Sequence, residues 1–358
     1  MSLQIQPFTP AEIPAVQAFN QRLIAAGISP DSCFPESPDP GWLPAMQLFV
    51  AAQSDDQPHS VHGGYILRHQ NFFASGNPVD AAHYRLPLSE GIVNRAYATL
   101  GFQLVRDALR RQPRLYALGM GGIDRPLPQM LQRLRWPIHP VPFYFKVLHP
   151  AAFLRNIRPL RTSPLRRFAF DFAAFTGAAW LGMNLLGISR RLPAVPFDLA
   201  PSFSPWADAL WDRVRADYAL LASRDAATLD ALYPPSDPRF LRVRVPEGWA
   251  VVLDTQMRDH KQFGNMRIGA IVDCFAAPSA AAAVIRAAAC LLQQRGVDLI
   301  VSNQLHAAWS GALLQSGFRQ GPTNYFYALS PAFAEAARGA AADQFHINRG
   351  DGDGPIHL

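Results

Sequence analysis

Lysine is almost missing from this chain of 358 residues: Lys146 and Lys261 are the only two, and arginine supplies the rest of the basic charge. Guanidinium groups suit bidentate contact with phosphate, although a bias in the coding DNA gives the same excess. Charge of either sign is scarce at 17%, against 49% hydrophobic residues. That balance excludes a disordered chain and fits a large buried core. The net charge is +6, and no Lys/Arg run carries interleaved aromatics, so nucleic acid is not an expected partner. Cysteine occurs three times, as Cys33, Cys274 and Cys290, without metal-type spacing. This argues against a disulfide framework and points to a reducing compartment. The opening stretch MSLQIQPFTPAEIP has neither a basic n-region nor an apolar h-region. No signal peptide is expected, and the location reads as cytoplasmic. No Ser-His-Asp set, zinc motif or P-loop stands at useful spacing, so no metal is expected. Oligomeric state is not legible.

One long apolar run is present, FAFDFAAFTGAAWLGMNLLGI at 168–188, with arginines on both sides. Its length would span a bilayer, but Asp171 and Asn184 are costly there, and positive charge at both ends gives no orientation. It reads as a helix buried between domains. A helix lying in a membrane surface through 165–191 is the second reading, and a true span the third.

At roughly 100–200 residues per domain, the length suggests two, and an internal repeat says the same. Trp136 and Phe318, Pro140 and Pro322, and Phe143 and Tyr325 each stand 182 positions apart. Each set closes a run read as β-α-β-α-β. In the first copy the strands are 82–90, 114–120 and 142–148, with helices over 94–112 and 127–136. In the second they are 266–276, 297–303 and the aromatic strand NYFYAL, with helices over 280–296 and 306–318. An upstream strand precedes each, at 62–69 and 248–256. The expected class is α/β with a mixed sheet, duplicated: domains at 1–153 and 205–335, an Arg-rich apolar helix and Pro-rich linker at 154–204, and a polar tail at 336–358. The tail reads as a frayed end, because its DGDG lacks the rest of an EF-hand loop.

This element order, with ALLQSGFRQGPTNYFYAL as its most telling segment, resembles the GNAT acyltransferase superfamily. The duplication is similar to Fem-type aminoacyl transferases and to acyltransferases found with bacterial polysaccharide genes. The resemblance implies that the central strand parts from its neighbour and that acyl-CoA lies in the gap. Its pantetheine would bond like a strand and its pyrophosphate would rest on the next helix's N-terminus. Arg95, Ala98 and Gly101 occupy the phosphate-loop positions of the first copy, with Ala98 and Leu100 where the family has glycine. The second copy has only AAPSAAAA there. The family's tyrosine acid is replaced by Leu313 in one copy and by a residue near Leu131 in the other.

Working groups must then come from elsewhere. Asp273, inside a strand read as buried, is either a base or a strand-end carboxylate bonded to a turn. Glu90, at the end of the matching strand, is the base candidate of the first copy. His306 is an acid/base group or a helix cap. Asn303, Gln304, Trp309 and Asn324 line the second cleft or shape its core and turns. Gly121, Gly122 and Asp124 follow a strand of the first copy, where glycines admit a close ligand. The reading is an N- or O-acyltransferase that moves an acyl group from acyl-CoA to an amine or hydroxyl of a sugar or lipid-linked precursor. The alternatives are a Fem-like enzyme using aminoacyl-tRNA and a non-catalytic pair acting as a scaffold.

Overall fold

A computed structural model describes residues 3–41, 43–53, 60–160, 193 and 195–354. The apolar run at 168–188 lies outside the described residues; among those described, no helix is long and apolar enough to cross a membrane. The chain forms two compact units, Met1–His139 with Phe326–Gly339, and Pro140–Tyr325 with Ala340–Leu358.

In the first unit, β1 (Leu3–Pro7), β2 (Met46–Gln53), β3 (Val61–Ala74), β4 (Asn77–Ser89) and β5 (Leu115–Gly119) lie side by side in chain order, and β15 (Phe326–Leu329) follows β5. β1 to β4 are antiparallel neighbours, β4 and β5 are parallel, and β15 runs antiparallel to β5. Helices α1 (Ile13–Ala25), α2 (Leu100–Arg111), α3 (Pro126–Arg133) and α9 (Pro331–Ala336) belong to this unit. α1 buries Val16, Phe19 and Leu23 with Leu48, Val50 and Ile66. α2 buries Leu100, Leu104, Val105 and Ala108 with Tyr65, Tyr84 and Leu115. Both helices are amphipathic, so each covers the sheet with its apolar stripe.

The second unit repeats the plan. Its sheet runs β14 (Arg319–Gly321), β7 (Phe143–Val147), β13 (Leu299–Asn303), β12 (Arg267–Ala276), β11 (Gly248–Gln256), β10 (Leu241–Val245) and β8 (Asp198–Ala200). β12 and β13 are the parallel pair. α4 (Pro150–Asn156), α5 (Pro205–Val214), α6 (Ala226–Leu232), α7 (Ala281–Gln294) and α8 (Ala307–Gln315) accompany it. β16 (Phe345–His346) pairs in parallel with β9 (Leu220–Ala222), and β6 (Ile138–Pro140) stands where the chain leaves the first unit.

The strands and helices read from the repeat are all present. Their closing strands, however, are exchanged. β7, written in the first copy, pairs with β13 from Phe143↔Asn303 to Val147↔Leu299. β15, written in the second, pairs with β5 from Phe326↔Gly119 to Leu329↔Tyr116. Each strand follows the same helix–turn pattern, so either sheet accepts either one. The tail is not frayed over its described length: Phe345, His346, Ile347, Asn348, Gly350 and Asp351 are buried in the second unit.

Candidate active site

β4 and β5 hold parallel register at only two positions, Ala82↔Leu115 and His83↔Tyr116. Beyond them β4 continues to Ser89 against β3, and β5 to Gly119 against β15, so the two strands part. A bulge accompanies the parting. Gly64 pairs with Leu88 and Ile66 with Arg85, which sets Leu86 and Pro87 against Tyr65 alone. Leu86 takes φ 46°, strained for a side chain of its size. An extra residue on one strand bends it and sharpens its twist, which turns β4 away from β5. The same device recurs in the second unit, where Val252 pairs with Ile271 and Val251 with Asp273, leaving Val272 over.

The parting in the first unit is lined by aromatic and basic groups. His83 stacks on Tyr116 at 4.8 Å, and the Tyr116 hydroxyl donates to Gln70 Oε1 (2.6 Å) and accepts from Arg68 (3.0 Å). At the far end of β4 the chain turns through two short 3-10 turns. Ser89 Oγ accepts from the amide of Gly91, and Asn94 Oδ1 from that of Ala96, each at 3.1 Å. α2 then starts at Leu100, and Thr99 at its N-cap makes no side-chain capping bond. The amides of Phe102 and Gln103 donate to Thr99 O at 3.1 and 3.3 Å, and the turn before them, without a side-chain cap, is a helix start of the kind that suits an anion. Arg95 and Ala98 are exposed in this loop, and Gly101 is half-buried in the first turn of α2.

Glu90 sits at the root of the loop, buried, with both oxygens engaged. Arg22 donates to Oε1 (3.2 Å) and Oε2 (2.9 Å), and His62 Nδ1 meets Oε2 at 2.8 Å. Burial pushes this carboxyl up, but the bonds from Arg22 and His62 outweigh it and hold the pKa below the usual range. With Nδ1–H donated to Glu90, His62 Nε2 is left to accept from the Tyr97 hydroxyl at 3.2 Å, and the two rings stack at 4.1 Å. A carboxylate that orients an imidazole, whose other nitrogen faces a hydroxyl, has the contacts an acid–base group needs. His62 and Tyr97 escaped the sequence reading. The only signal for His62 was a polar residue opening the apolar stretch VHGGYIL.

In the second unit β12 and β13 are parallel from Ile268↔Leu299 to Ile271↔Ser302 and then part. Here the tail enters. Asn348 bridges to Gln304, and the Leu305 amide donates to Ile347 O at 3.0 Å. Asp273, on β12, accepts from Asn348 Nδ2 (2.8 Å), Arg224 Nε (3.0 Å), Tyr233 Oη (3.0 Å) and the amide of Cys274 (2.8 Å). Arg224 also grips both oxygens of Asp351, at 2.9 and 3.1 Å. Burial works against the Arg224 charge, but Asp273 and Asp351 overcome it and keep the guanidinium firmly protonated. His306 Nδ1 accepts from the amide of Ala308 at 3.1 Å and so caps α8; burial lowers its pKa. Trp309 is buried and donates to the Tyr218 hydroxyl at 3.0 Å. Asn303 reaches Pro142 O at 3.4 Å, and Asn324 is exposed.

Of the sequence candidates, Asp273 and Gln304 meet around the tail, while Glu90, Arg95, Ala98 and Gly101 share one loop of the first unit. Gly121 and Gly122, at φ 72° and 132°, and Asp124 form the open turn that follows β5.

No family model matches this sequence, and no curated protein sequence does. Solved structures are similar in fold. N-myristoyltransferase from Saccharomyces cerevisiae, with bound myristoyl-CoA and inhibitors, superposes with a TM-score of 0.54 at 9% identity, over 92% of this chain and 79% of that one. A GCN5-related N-acetyltransferase from Kribbella flavida gives 0.54 at 12% identity, over 94% and 72%. Another from Anabaena variabilis gives 0.51 at 10% identity, over 91% and 72%. The chain therefore has a GCN5-related N-acetyltransferase fold, with two mixed sheets.

Proposed function

We propose that the protein is an acyltransferase and that its first unit takes acyl-CoA as donor. The observation that carries this reading is the two-residue parallel contact of β4 and β5, after which a bulged strand leaves a gap beside an α2 start with no side-chain cap. The yeast protein of this fold was solved with myristoyl-CoA. A pantetheine arm would use strand edges freed by the parting, and the diphosphate would rest on the first amides of α2, with Arg95 nearby. Reaction is direct attack of an acceptor amine or hydroxyl on the thioester. Most of the acceleration comes from holding the two reactants together.

The acceptor must also lose a proton. His62 is the group able to take it, through Tyr97, with Glu90 and Arg22 fixing the imidazole. Both Glu90 oxygens are engaged by Arg22 and His62, so Glu90 acts by orienting His62. We assign Asp273 and Gln304 to holding the tail and His306 to capping α8. The acceptor class follows the likeness to polysaccharide-associated acyltransferases: an amine or hydroxyl of a sugar or lipid-linked precursor.

The test is calorimetric titration with acetyl-CoA and longer acyl-CoA thioesters, followed by thiol release in the presence of amino sugars and lipid-linked sugars. Binding with acceptor-dependent thiol release is expected. Failure of every thioester to bind would sink the acyl-CoA reading and leave the aminoacyl-tRNA enzyme and the scaffold.

A further inference from the structure

In the second unit the counterpart of the proposed cofactor gap is occupied. β12 and β13 part after Ile271 and Ser302, and residues 345–351 bond to both sides of the parting, beside a direct contact of Gln304 Nε2 with Cys274 Sγ at 3.3 Å and the Tyr218 hydroxyl, which joins Ala276 O to Trp309. On one side the tail's Asn348 and Ile347 meet Gln304 and Leu305, just past β13. On the other, Asn348 reaches Asp273 of β12, and Asp351 shares Arg224 with Asp273. Arg224, Asp273 and Asp351 have side chains no more than 2% exposed. Behind them His346 is packed edge-on against Tyr218, Phe275 and Trp309, at 4.8, 6.0 and 5.6 Å. Gly350 fits because it has no side chain: a Cβ there would stand 2.5 Å from the Tyr233 hydroxyl and 2.8 Å from Asp273. The segment that leads in, 338–344, is mostly exposed.

We infer that the gap of the second unit is a peptide-binding site filled by the chain's own tail, which completes that unit and excludes acyl-CoA from it. Its ligand class is a short strand running into a 3-10 turn, which places an aromatic and a histidine, an apolar residue, an asparagine, a glycine and an aspartate in the order of Phe345, His346, Ile347, Asn348, Gly350 and Asp351. Main-chain contacts seat the strand, and side-chain pockets read it. The Arg224 clamp supplies selectivity, since a segment without the aspartate leaves the buried Nη2 of Arg224 without the acceptors Asp351 gives it. The exclusion of cofactor rests on reading the first unit as the acyl-CoA site; the seating of the tail does not.

The experiment uses the full chain with a protease recognition sequence placed in the exposed stretch 338–341 and cut after folding. The freed tail is expected to co-elute with the body in size exclusion and to leave the melting temperature near that of uncut protein. A body that keeps its melting temperature while the tail is lost would overturn the proposal. If the body unfolds as the tail departs, refolding with a synthetic 340–358 peptide restores the transition, and failure to restore it counts against the site. In the cut protein, Asn348→Ala with Asp351→Ala should speed release of the tail by at least ~10-fold, the equivalent of about 1.4 kcal/mol; unchanged release refutes the clamp. Calorimetry on the uncut chain should count one acyl-CoA. Two would refute the exclusion, and none would refute the acyl-CoA reading itself, while retention of the freed tail still decides the seat.

Discussion

Glu90 is a carboxylate whose work is visible in its bonds. With its pKa held below the ordinary 4.5, it contributes stability in full above that value and loses it as pH falls through the depressed one. Replacing it with Gln should cost about 1–3 kcal/mol at neutral pH. The variant should also lose less melting temperature than the wild type as pH falls below about 4.5, as read by thermal scans across a pH series. For turnover, His62→Gln is expected to lower kcat by roughly 100-fold or more, and Tyr97→Phe by less, if this pair carries the proton. Equal, near-normal rates in both would remove it from the mechanism. Asp273 separates the same way. Asp273→Asn breaks a buried ion pair and should cost about 3–5 kcal/mol, with kcat of the folded fraction nearly unchanged. Why Glu90 stood out in the sequence as a base candidate and His62 did not is a matter of distance along the chain. Glu90 announced itself by ending a strand. His62 meets it only through register, which sets Gly63 opposite Ser89 and so brings two residues 28 positions apart into contact.

At the scale of elements, the repeat did most of the work. Matched closing strands 182 positions apart located the members of each copy. The bulges are different, because a one-residue excess leaves no mark on a pattern that runs on through it. The glycines before the β4 bulge do leave one. A Cβ on Gly63 would stand 2.7 Å from the carbonyl oxygen of Leu88, which as backbone cannot swing aside. Gly63→Ala should therefore destabilise by about 1–3 kcal/mol, measurable by denaturant titration, and should shift the β4 edge that lines the gap. A variant as stable as the parent would show that β3 and β4 are not so tightly apposed. The exchange of β7 and β15 was beyond reading for a simple reason: two strands with one pattern satisfy either sheet equally, and only topology chooses.

For the molecule as a whole that choice decides what can stand alone. A fragment of residues 1–153 carries β7, which has no place in the first sheet, and lacks β15, which does. It should fail to give a cooperative melt, whereas residues 1–139 joined by a short linker to 326–339 should give one, as followed by circular dichroism. The tail adds to the same economy, since the second unit is finished only by residues beyond Gly339. The two halves of the sequence thus do not coincide with the two bodies they form.

Partner strands separated by some two hundred positions also impose an order of events during synthesis. The edge of β5 emerges from the ribosome early and waits, hydrogen bonds unmade, until residue 329 has been added. At roughly 5–20 residues per second that interval is on the order of ten seconds or more, long enough for a chaperone to be the first molecule that β5 meets.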